Sequence, residues 1–387
     1  MTITTMILVV IVRSAMINSV LMPEDGRLDF MELSIKYGHK AEEHRVVTED
    51  GYILTLFRLP GKKPPVLLLH GLIGTADTYI LRGNSSLGIT LANHGYDVWA
   101  GNTRGNKYAV QHTKLNPNTD ASFWDYSFHE HGYYDLPAMT DYILNATGEQ
   151  SLQSIGHSEG TTDHFILGSL RPEYNEKYKI HIALSPSAYL SHLAPPMSIF
   201  IKLAPIINKI LLSLNIEYLL HYKGLERNLL KAICNPGAIT YTLCIEFVFL
   251  IGGYDLQRLE SEFLAVVFGH FPSSISRKAL LHCAQVAQSK RFPLFDYGLE
   301  DNLKRYGSTA PPDYNLRNIT MRTALLVGKN DPINGVRDVE RLRFVLPNVV
   351  HYHLMKPRTW NHFDFVWSND LLKTLFPRIL TLLERFS

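Results

Sequence analysis

A serine flanked by glycine two residues away on either side is the feature that most constrains how this chain folds. It lies in the run Gly156-His157-Ser158-Glu159-Gly160, between a predicted strand at 151–155 and a segment with helical spacing at 162–170. A chain that leaves a strand, turns sharply at such a serine and enters a helix leaves the hydroxyl exposed above the sheet. Both glycines are needed because a side chain there would collide with the neighbouring strand or helix. An ordinary glycine turn also fits the pattern.

Predicted strands and helices alternate on both sides of this turn. The alternation stops at about residue 187, gives way to apolar helix-like segments, and resumes with the strand predicted at 323–328. Alternating strands and helices indicate a mostly parallel sheet with both faces covered. The fold class predicted is therefore α/β, with a core formed by residues 21–186 and 313–387 and an inserted helical domain at 187–312.

The charge balance argues against a nucleic-acid partner. The 387 residues carry 38 basic and 36 acidic side chains, a net charge of +2, and form no basic run. The amino terminus contains the apolar run Met6 to Val12, which is too short to span a bilayer. We expect a cleaved signal peptide over residues 1–20, although Arg13 follows the apolar run where a basic residue would normally precede it. A buried strand fits the same residues.

Cysteines and sequons permit a secretory route without requiring it. Cys234 and Cys244 are close enough in sequence to pair in an oxidising compartment, which leaves Cys283 over, and free buried thiols are an equally good interpretation. The spacing of cysteines and histidines does not suggest a zinc site, and we expect neither metal nor cofactor. The three candidate N-glycosylation sites are Asn84, Asn145 and Asn318.

A serine nucleophile needs a base, and the base needs an acid to orient it. In hydrolases built on such a turn, the acid follows the serine and the histidine comes last. Asp331 comes just after the strand predicted at 323–328, at the edge where open parallel sheets place their ligands. His362 lies in the loop after the next predicted strand. We predict that Ser158, Asp331 and His362 form the catalytic triad; a helix N-cap is the alternative role for Asp331.

Stabilising the oxyanion of such a reaction requires backbone amides beside the nucleophile. The amide after the serine belongs to Glu159. A second donor comes from the loop after an early strand, and His70-Gly71-Leu72 follows the apolar strand predicted at 66–69. We predict an oxyanion hole formed by the amides of Leu72 and Glu159.

With these runs in view, the chain resembles the acid lipase family, which comprises the gastric and lysosomal lipases and their insect relatives. The similarity covers most of residues 30 to 385 and consists of many short runs in one order. These runs are Val47–Leu54, His70–Leu72, Gly95–Trp99, Gly101–Asn106, Tyr134–Ala138, the serine turn, Lys329–Asp331 and Asn361–Phe365.

The resemblance implies an α/β-hydrolase core with a helical cap and lid at 187–312, and hydrolysis of triacylglycerols or sterol esters. It carries over the triad and the two oxyanion amides named above. It also implies a secreted or lysosomal glycoprotein whose partners are a lipid ester and the lipid–water interface. The sequence does not indicate an oligomeric state.

Two positions depart from the family pattern. Relatives usually have glutamine where Glu159 stands, and a carboxylate roughly 6 Å from a developing oxyanion would cost about 1–3 kcal/mol at an effective dielectric near 20. That penalty disappears if the carboxylate is protonated, paired or turned to solvent, and otherwise Glu159→Gln should raise activity or move the pH optimum upward. Relatives often carry a cysteine where Gly252 stands, so the usual disulfide of the cap cannot be assumed.

Three functions remain open from the sequence. The first is an active serine lipase or esterase. The second is a weakly active or non-catalytic lipid-binding protein of the same fold, which the carboxylate of Glu159 favours and the complete triad opposes. The third is a hydrolase with the same turn that acts on small esters or peptides.

Overall fold

The structure, a computed structural model, describes residues 22–221 and 224–387. The signal peptide predicted at residues 1–20 lies outside the described residues. The strands, in chain order, are β1 Glu42–Val47, β2 Tyr52–Leu59, β3 Lys63–Leu69, β4 Tyr96–Gly101, β5 Gln111–His112, β6 Leu152–His157, β7 Tyr178–Leu184, β8 Tyr218–Leu219, β9 Ile275–Ser276, β10 Thr323–Val327 and β11 Val349–Leu354.

The main sheet has the order β1-β2-β4-β3-β6-β7-β10-β11, with β5 paired beside β2. From β4 to β11 all neighbouring strands are parallel. The pairs β1–β2 and β2–β4 are antiparallel, and the first is a hairpin that turns at Asp50-Gly51. The mostly parallel sheet predicted from the alternating pattern is confirmed.

Helices cover both faces of this sheet and also fill the segment between β7 and β10. The α-helices of four or more residues are α1 Phe30–Lys36, α2 Leu87–Asn93, α3 Leu136–Thr147, α4 Glu159–Leu170, α5 Met197–Ser213, α6 Leu225–Ile233, α7 Tyr241–Gly252, α8 Ser261–His270, α9 Arg277–Ser289, α10 Leu299–Tyr306, α11 Val336–Val345, α12 Asp364–Trp367, α13 Leu371–Thr374 and α14 Phe376–Arg385. None of them is both long enough and apolar enough to cross a bilayer, within the part of the chain that the structure describes.

The core lies on both faces of the sheet. Along β3, the buried side chains of Val66 and Leu68 join one hydrophobic cluster, and those of Leu67 and Leu69 join the other. Successive side chains of a strand point to opposite faces, so a fully apolar strand indicates a sheet covered on both sides. The apolar run at 66–69 therefore places β3 in the middle of the core.

The sequence at 371–386 predicts one carboxy-terminal helix, but the structure forms two there. Two helices, α13 and α14, meet at Leu375, because Pro377 lies in the first turn of α14 and has no amide to continue the hydrogen bonds of α13. By contrast, Pro205 is accommodated within α5, which remains one helix of 17 residues.

Candidate active site

Ser158 occupies the turn between β6 and α4 in a backbone conformation that few residues adopt. Its φ of 54° and ψ of −118° lie outside the common regions for an L-residue. A Cβ added to Gly160 would lie 2.4 Å from the carbonyl oxygen of Leu69, and one added to Gly156 would lie 2.7 Å from the oxygen of Gly160. Both glycines are therefore required by close packing, as predicted, and Ser158 remains partly exposed.

Asp331 and His362 meet at the same edge of the sheet. The Nδ1 atom of His362 lies 3.0 Å from Oδ2 of Asp331, and both side chains are buried. The backbone amides of Ile333 and Asn334 donate to the other carboxylate oxygen of Asp331 at 3.0 and 2.9 Å. An acceptor on Nδ1 fixes the neutral imidazole in the tautomer whose Nε2 can take a proton.

The carboxyl group of Asp331 is held in its charged form. Burial alone would raise its pKa, but the His362 imidazole and the hydrogen bonds from Ser185 and the Asn334 amide outweigh burial and lower the pKa of Asp331 below its ordinary value. A charged Asp331 can stabilise the imidazolium that forms when His362 accepts a proton.

Two contacts fix the loop that carries His362. Its carbonyl oxygen accepts a hydrogen bond from Nε2 of His157 at 2.9 Å, and its amide donates to the carbonyl oxygen of Gly252 at 2.9 Å. Burial, together with the neighbouring imidazole of His362, lowers the pKa of His157 to about 3, so this residue is a neutral donor. Gly252 ends α7, and a Cβ there would lie 2.2 Å from the ring of Phe363.

Ser185 joins this site and was not predicted. It directly follows β7, has a φ of 51°, and donates its hydroxyl to Oδ2 of Asp331. Its Oγ also lies 3.0 Å from Nδ1 of His362 and accepts from Nδ2 of Asn334 at 3.1 Å. Each oxygen of the Asp331 carboxylate thus has at least two donors, which fix the orientation of the carboxylate.

The loop that carries Leu72 passes beside Ser158. A Cβ on Gly71 would lie 3.0 Å from the Cβ of Ser158. Nδ1 of His70 donates to the carbonyl oxygen of Gly71 at 2.9 Å, and its Nε2 accepts from Nδ2 of Asn106 at 3.0 Å. Burial lowers the pKa of His70 to about 4, so a neutral imidazole fixes the turn. Within residues 22–221 and 224–387, the amides of Leu72 and Glu159 donate no hydrogen bond.

The side chain of Glu159 is paired. It is buried, and its Oε1 lies 2.7 Å from Nδ1 of His131, a residue that the sequence did not single out. Pairing is one of the three conditions under which the predicted charge penalty disappears. The pairing of Glu159 with His131 therefore weakens the electrostatic reason for Glu159→Gln to raise activity.

The loop after β4 is tied to the segment before α3 by a buried ion pair. The guanidinium of Arg104 donates from Nε to Oδ1 of Asp135 at 2.8 Å, and the Arg104 amide donates to Oδ2 at 2.9 Å. Arg104 also reaches Asp50 in the β1–β2 turn. Three of the runs that carry the family resemblance therefore meet in one network.

The structure shows how the cysteines pair and where the sequons lie. A disulfide joins Cys234 at the end of α6 to Cys244 in α7, so the pairing that the spacing allowed is observed. Cys283 is a free thiol. The three candidate glycosylation sites, Asn84, Asn145 and Asn318, have exposed side chains.

An α/β hydrolase is the class of protein that this sheet and its serine turn define, and the chain matches two family models accordingly. Residues 30–83 match the partial alpha/beta-hydrolase lipase region, and residues 64–173 match the alpha/beta hydrolase fold.

Solved structures share the fold. A soluble variant of monoglyceride lipase from Saccharomyces cerevisiae has a TM-score of 0.54 at 16% identity, and the match covers 90% of this chain and 95% of the yeast chain. Naproxen esterase from Bacillus subtilis has a TM-score of 0.52 at 13% identity, covering 92% and 94%.

Sequence relatives define the family more narrowly. Lipase 1 of Drosophila melanogaster is 37% identical over 94% of this chain and 81% of its own length. Human Lipase member N is 36% identical over 92% and 91%, and bovine gastric triacylglycerol lipase is 36% identical over 93% and 92%. The chain belongs to this family of lipases with the α/β-hydrolase fold, so the resemblance stated from the sequence is confirmed.

Proposed function

We propose that this protein is a lipase that hydrolyses carboxylic esters of lipids through a serine acyl-enzyme, with Ser158 as nucleophile, His362 as base and Asp331 as the orienting acid. Membership of the lipase family supports ester hydrolysis. The observation that carries the assignment of roles is the hydrogen bond between Asp331 and His362 at the sheet edge where the Ser158 turn emerges. The named relatives favour triacylglycerol as substrate, and sterol esters are the second class to test.

The proposed reaction uses one proton carrier twice. Nε2 of His362 takes the proton of Ser158 as its oxygen attacks the ester carbonyl carbon, and the amides of Leu72 and Glu159 bind the resulting oxyanion. The intermediate collapses when His362 returns the proton to the leaving alcohol, which leaves an acyl group on Ser158. Water, deprotonated by His362, then attacks the acyl carbon. The bond from the acyl carbon to Ser158 breaks, the Ser158 oxygen regains the proton from His362, and the fatty acid is released.

The segment 187–312 is proposed to act as a cap with a lid that contacts the lipid–water interface. Its helix α5 exposes apolar side chains along one face at helical spacing, and Ile199 and Ile206 have exposed fractions of 53% and 59%. An apolar helix face open to water is unfavourable unless it meets an apolar partner, and a lipid surface supplies one. This face is defined by the exposed side chains of Ile199, Leu203, Ile206 and Ile210, and the neighbouring side chains of Phe200 and Ile207 are also exposed.

We also propose that the protein works in an oxidising compartment, secreted or lysosomal. The disulfide between Cys234 and Cys244 is consistent with such a location. The exposed sequons at Asn84, Asn145 and Asn318 would then carry glycans. Treatment of the protein made in insect or mammalian cells with a peptide N-glycosidase, followed by intact mass, tests this: a mass that does not change would remove the glycosylation proposal.

Hydrolysis of emulsified triolein and cholesteryl oleate between pH 4 and pH 8 tests the proposed function, with Ser158→Ala as the matched inactive variant. We expect fatty-acid release from at least one ester by the wild-type protein and a loss of at least about 10³-fold in the variant. If neither long-chain ester is cleaved but p-nitrophenyl acetate is, a small-ester hydrolase replaces the lipase. Lipid binding without any turnover would establish the non-catalytic alternative.

A further inference from the structure

A buried cluster of three ionisable side chains lies directly behind the nucleophile turn. It consists of His131, Glu159 and Asp163, whose ring nitrogen and carboxylate oxygens lie within 4.8 Å of one another. All three are buried, and Glu159 and Asp163 are one helical turn apart on α4. The proposed triad and oxyanion hole assign no role to His131 or Asp163.

We propose that His131 is a positioning residue, which pairs with the carboxylate of Glu159, holds it away from the oxyanion hole and neutralises its charge there. This inference rests on the proposed function, because it concerns the same oxyanion. The cluster explains how a carboxylate can occupy the position after the nucleophile, where the family usually has a neutral glutamine. In this proposal His131 compensates the charge that Glu159 carries and glutamine would not.

His131 is held rigidly against α4. It begins a π-helical segment, His131–Asp135, that leads into α3, and its ring lies 5.4 Å from that of Tyr126. The next residue, Gly132, lies so close to α4 that a Cβ there would be 2.6 Å from the Cβ of Ile166. The imidazole therefore has little freedom to leave the Glu159 carboxylate, with which it shares the 2.7 Å contact.

Asp163 completes the charge balance. Burial raises the pKa of Asp163 well above its ordinary value, and the nearby charges of Glu159 and Asp135 raise it further, which favours its uncharged form beside Glu159. The 2.7 Å contact then pairs the Glu159 carboxyl group with the one basic side chain of the cluster, His131. A buried ion pair is tolerated on this condition, whereas removal of one partner leaves an uncompensated charge.

Few other groups near the cluster change charge between pH 5 and 9. Burial lowers the pKa of His70 to about 4, and it raises the pKa values of Tyr126 and of the Cys283 thiol on α9. Arg104 remains charged, and its buried partner Asp135 lies between it and the cluster. Activity changes in His131 variants therefore report on the contact between His131 and Glu159.

Two unpartnered atoms in the cluster suggest a competing explanation. Nε2 of His131 and Oδ1 of Asp163 are buried without a hydrogen-bond partner among the described residues. A divalent cation bound by all three side chains would use such atoms. The direct contact between His131 and Glu159 favours the ion pair, because a metal ion between them would separate the two ligand atoms.

The test is a cycle of His131→Gln, Glu159→Gln and the double variant, assayed with soluble p-nitrophenyl butyrate from pH 5 to 9. His131→Gln should lower kcat tenfold to a hundredfold at pH 8 with KM changed less than twofold, because a buried uncompensated carboxylate then faces the oxyanion. The double variant should regain kcat to within about threefold of wild type.

The matched control is His44→Gln, which removes a histidine from a partly exposed His–Glu pair with Glu42 at the sheet edge and should leave kcat unchanged.

Equal kcat values for wild type and His131→Gln, or a double variant no better than His131→Gln, would overturn the inference. If His131→Gln does not fold, an active, folded double variant still supports it and an inactive one overturns it. Stoichiometric zinc or manganese in the wild-type protein, absent from His131→Gln, would also overturn it. A wild-type protein inactive on every ester would instead overturn the proposed function.

Discussion

At the scale of single residues, the hydrogen bonds around Asp331 make a sharp prediction about catalysis. Asp331→Asn keeps the size of the side chain but removes the charge, and its amide can face Nδ1 of His362 with a donor, which favours the wrong tautomer. We expect kcat to fall by about 10³–10⁴-fold with KM little changed. Steady-state kinetics on p-nitrophenyl butyrate measure this.

The control is Asp313→Asn, which removes a half-exposed carboxylate paired with Arg291 before β10. It should leave kcat within about twofold of wild type, as expected for an exposed ion pair. A loss below tenfold for Asp331→Asn would mean that this carboxylate does not orient the base.

A second prediction concerns Asp364, whose side chain accepts a hydrogen bond from the amide of Asn361 at 2.7 Å. Burial raises the pKa of Asp364 to about 8; the Asn361 amide opposes this shift, and the nearby Asp255 adds to it. The unfolded chain has an ordinary value of about 4, so the folded chain holds a proton that unfolding releases between these values. The stabilisation is complete below about pH 4 and is lost as the pH rises through about 8.

Asp364→Asn should therefore flatten the dependence of stability on pH. Between pH 5 and pH 8 the melting temperature of the wild type should fall relative to that of the variant, as measured by differential scanning calorimetry. Asp301→Asn, at an exposed carboxyl on α10, is the control and should follow the wild type. Parallel curves for wild type and Asp364→Asn would show that Asp364 is charged in the folded protein.

The residues of the site differ in how far the sequence could predict them. Ser158, Asp331 and His362 each follow a recognisable strand or its loop, and their order along the chain is informative. Ser185 also follows a strand, but a single serine there has no pattern that distinguishes it. His131 lies 28 residues before Glu159, and only the packing of the π-helical segment against α4 brings the two together.

At the scale of secondary-structure elements, the contact between α4 and β3 depends on the absence of a side chain at Gly160. A Cβ there would lie 2.4 Å from the carbonyl oxygen of Leu69. Backbone atoms cannot move aside cheaply, so Gly160→Ala should lower the free energy of unfolding by about 3 kcal/mol. Urea denaturation followed by circular dichroism measures this.

Gly335→Ala provides the comparison, since the nearest atom to a Cβ at Gly335 is 3.9 Å away and its φ of −62° suits any residue. We expect this variant to lose less than about 1 kcal/mol. Equal losses for the two substitutions would indicate that α4 can shift away from β3.

Elements with strong patterns were predicted well, and those without them were not. The pattern at 87–93 predicts a helix, which is α2, and the pattern at 349–354 predicts a strand, which is β11. The two-residue strands β8 and β9 carry no periodicity, so their pairing could not be predicted. The division of the last helix at Leu375 depends on Pro377, which the helical spacing alone does not reveal.

At the scale of the whole molecule, the apolar face of α5 should matter only when the substrate forms an interface. Replacing Ile199, Leu203, Ile206 and Ile210 together with serine removes that face without touching the proposed triad. We expect hydrolysis of emulsified triolein to fall at least fivefold, since each buried side chain contributes about 1.5–3 kcal/mol to association with lipid. Turnover of soluble p-nitrophenyl butyrate should stay within twofold.

Phe344→Ser is the matched control, because Phe344 is 86% exposed on α11 and lies outside the α5 face. It should alter neither rate. If the α5 variant lost triolein and soluble-ester hydrolysis equally, the face would support the fold of the cap rather than contact with lipid.

The sequence also predicts a division of the molecule at this scale. Strand–helix alternation predicted the sheet, and the apolar segments between 187 and 312 predicted the helices α5, α7 and α8. The place of each strand in the sheet could not be read from the pattern, since it depends on pairings between residues far apart in the chain. The division into core and cap stays a prediction, and limited proteolysis within 187–312 would test it.

The central claim is that Ser158 is the nucleophile for lipid ester hydrolysis. Titration of the intact protein with a long-chain fluorophosphonate, followed by peptide mass mapping and by the residual triolein activity of the same samples, tests it most directly. We predict one label per chain, carried by Ser158, with activity lost in proportion to labelling. Full triolein activity in protein whose Ser158 is completely labelled, or label on another residue with activity lost, would contradict the account.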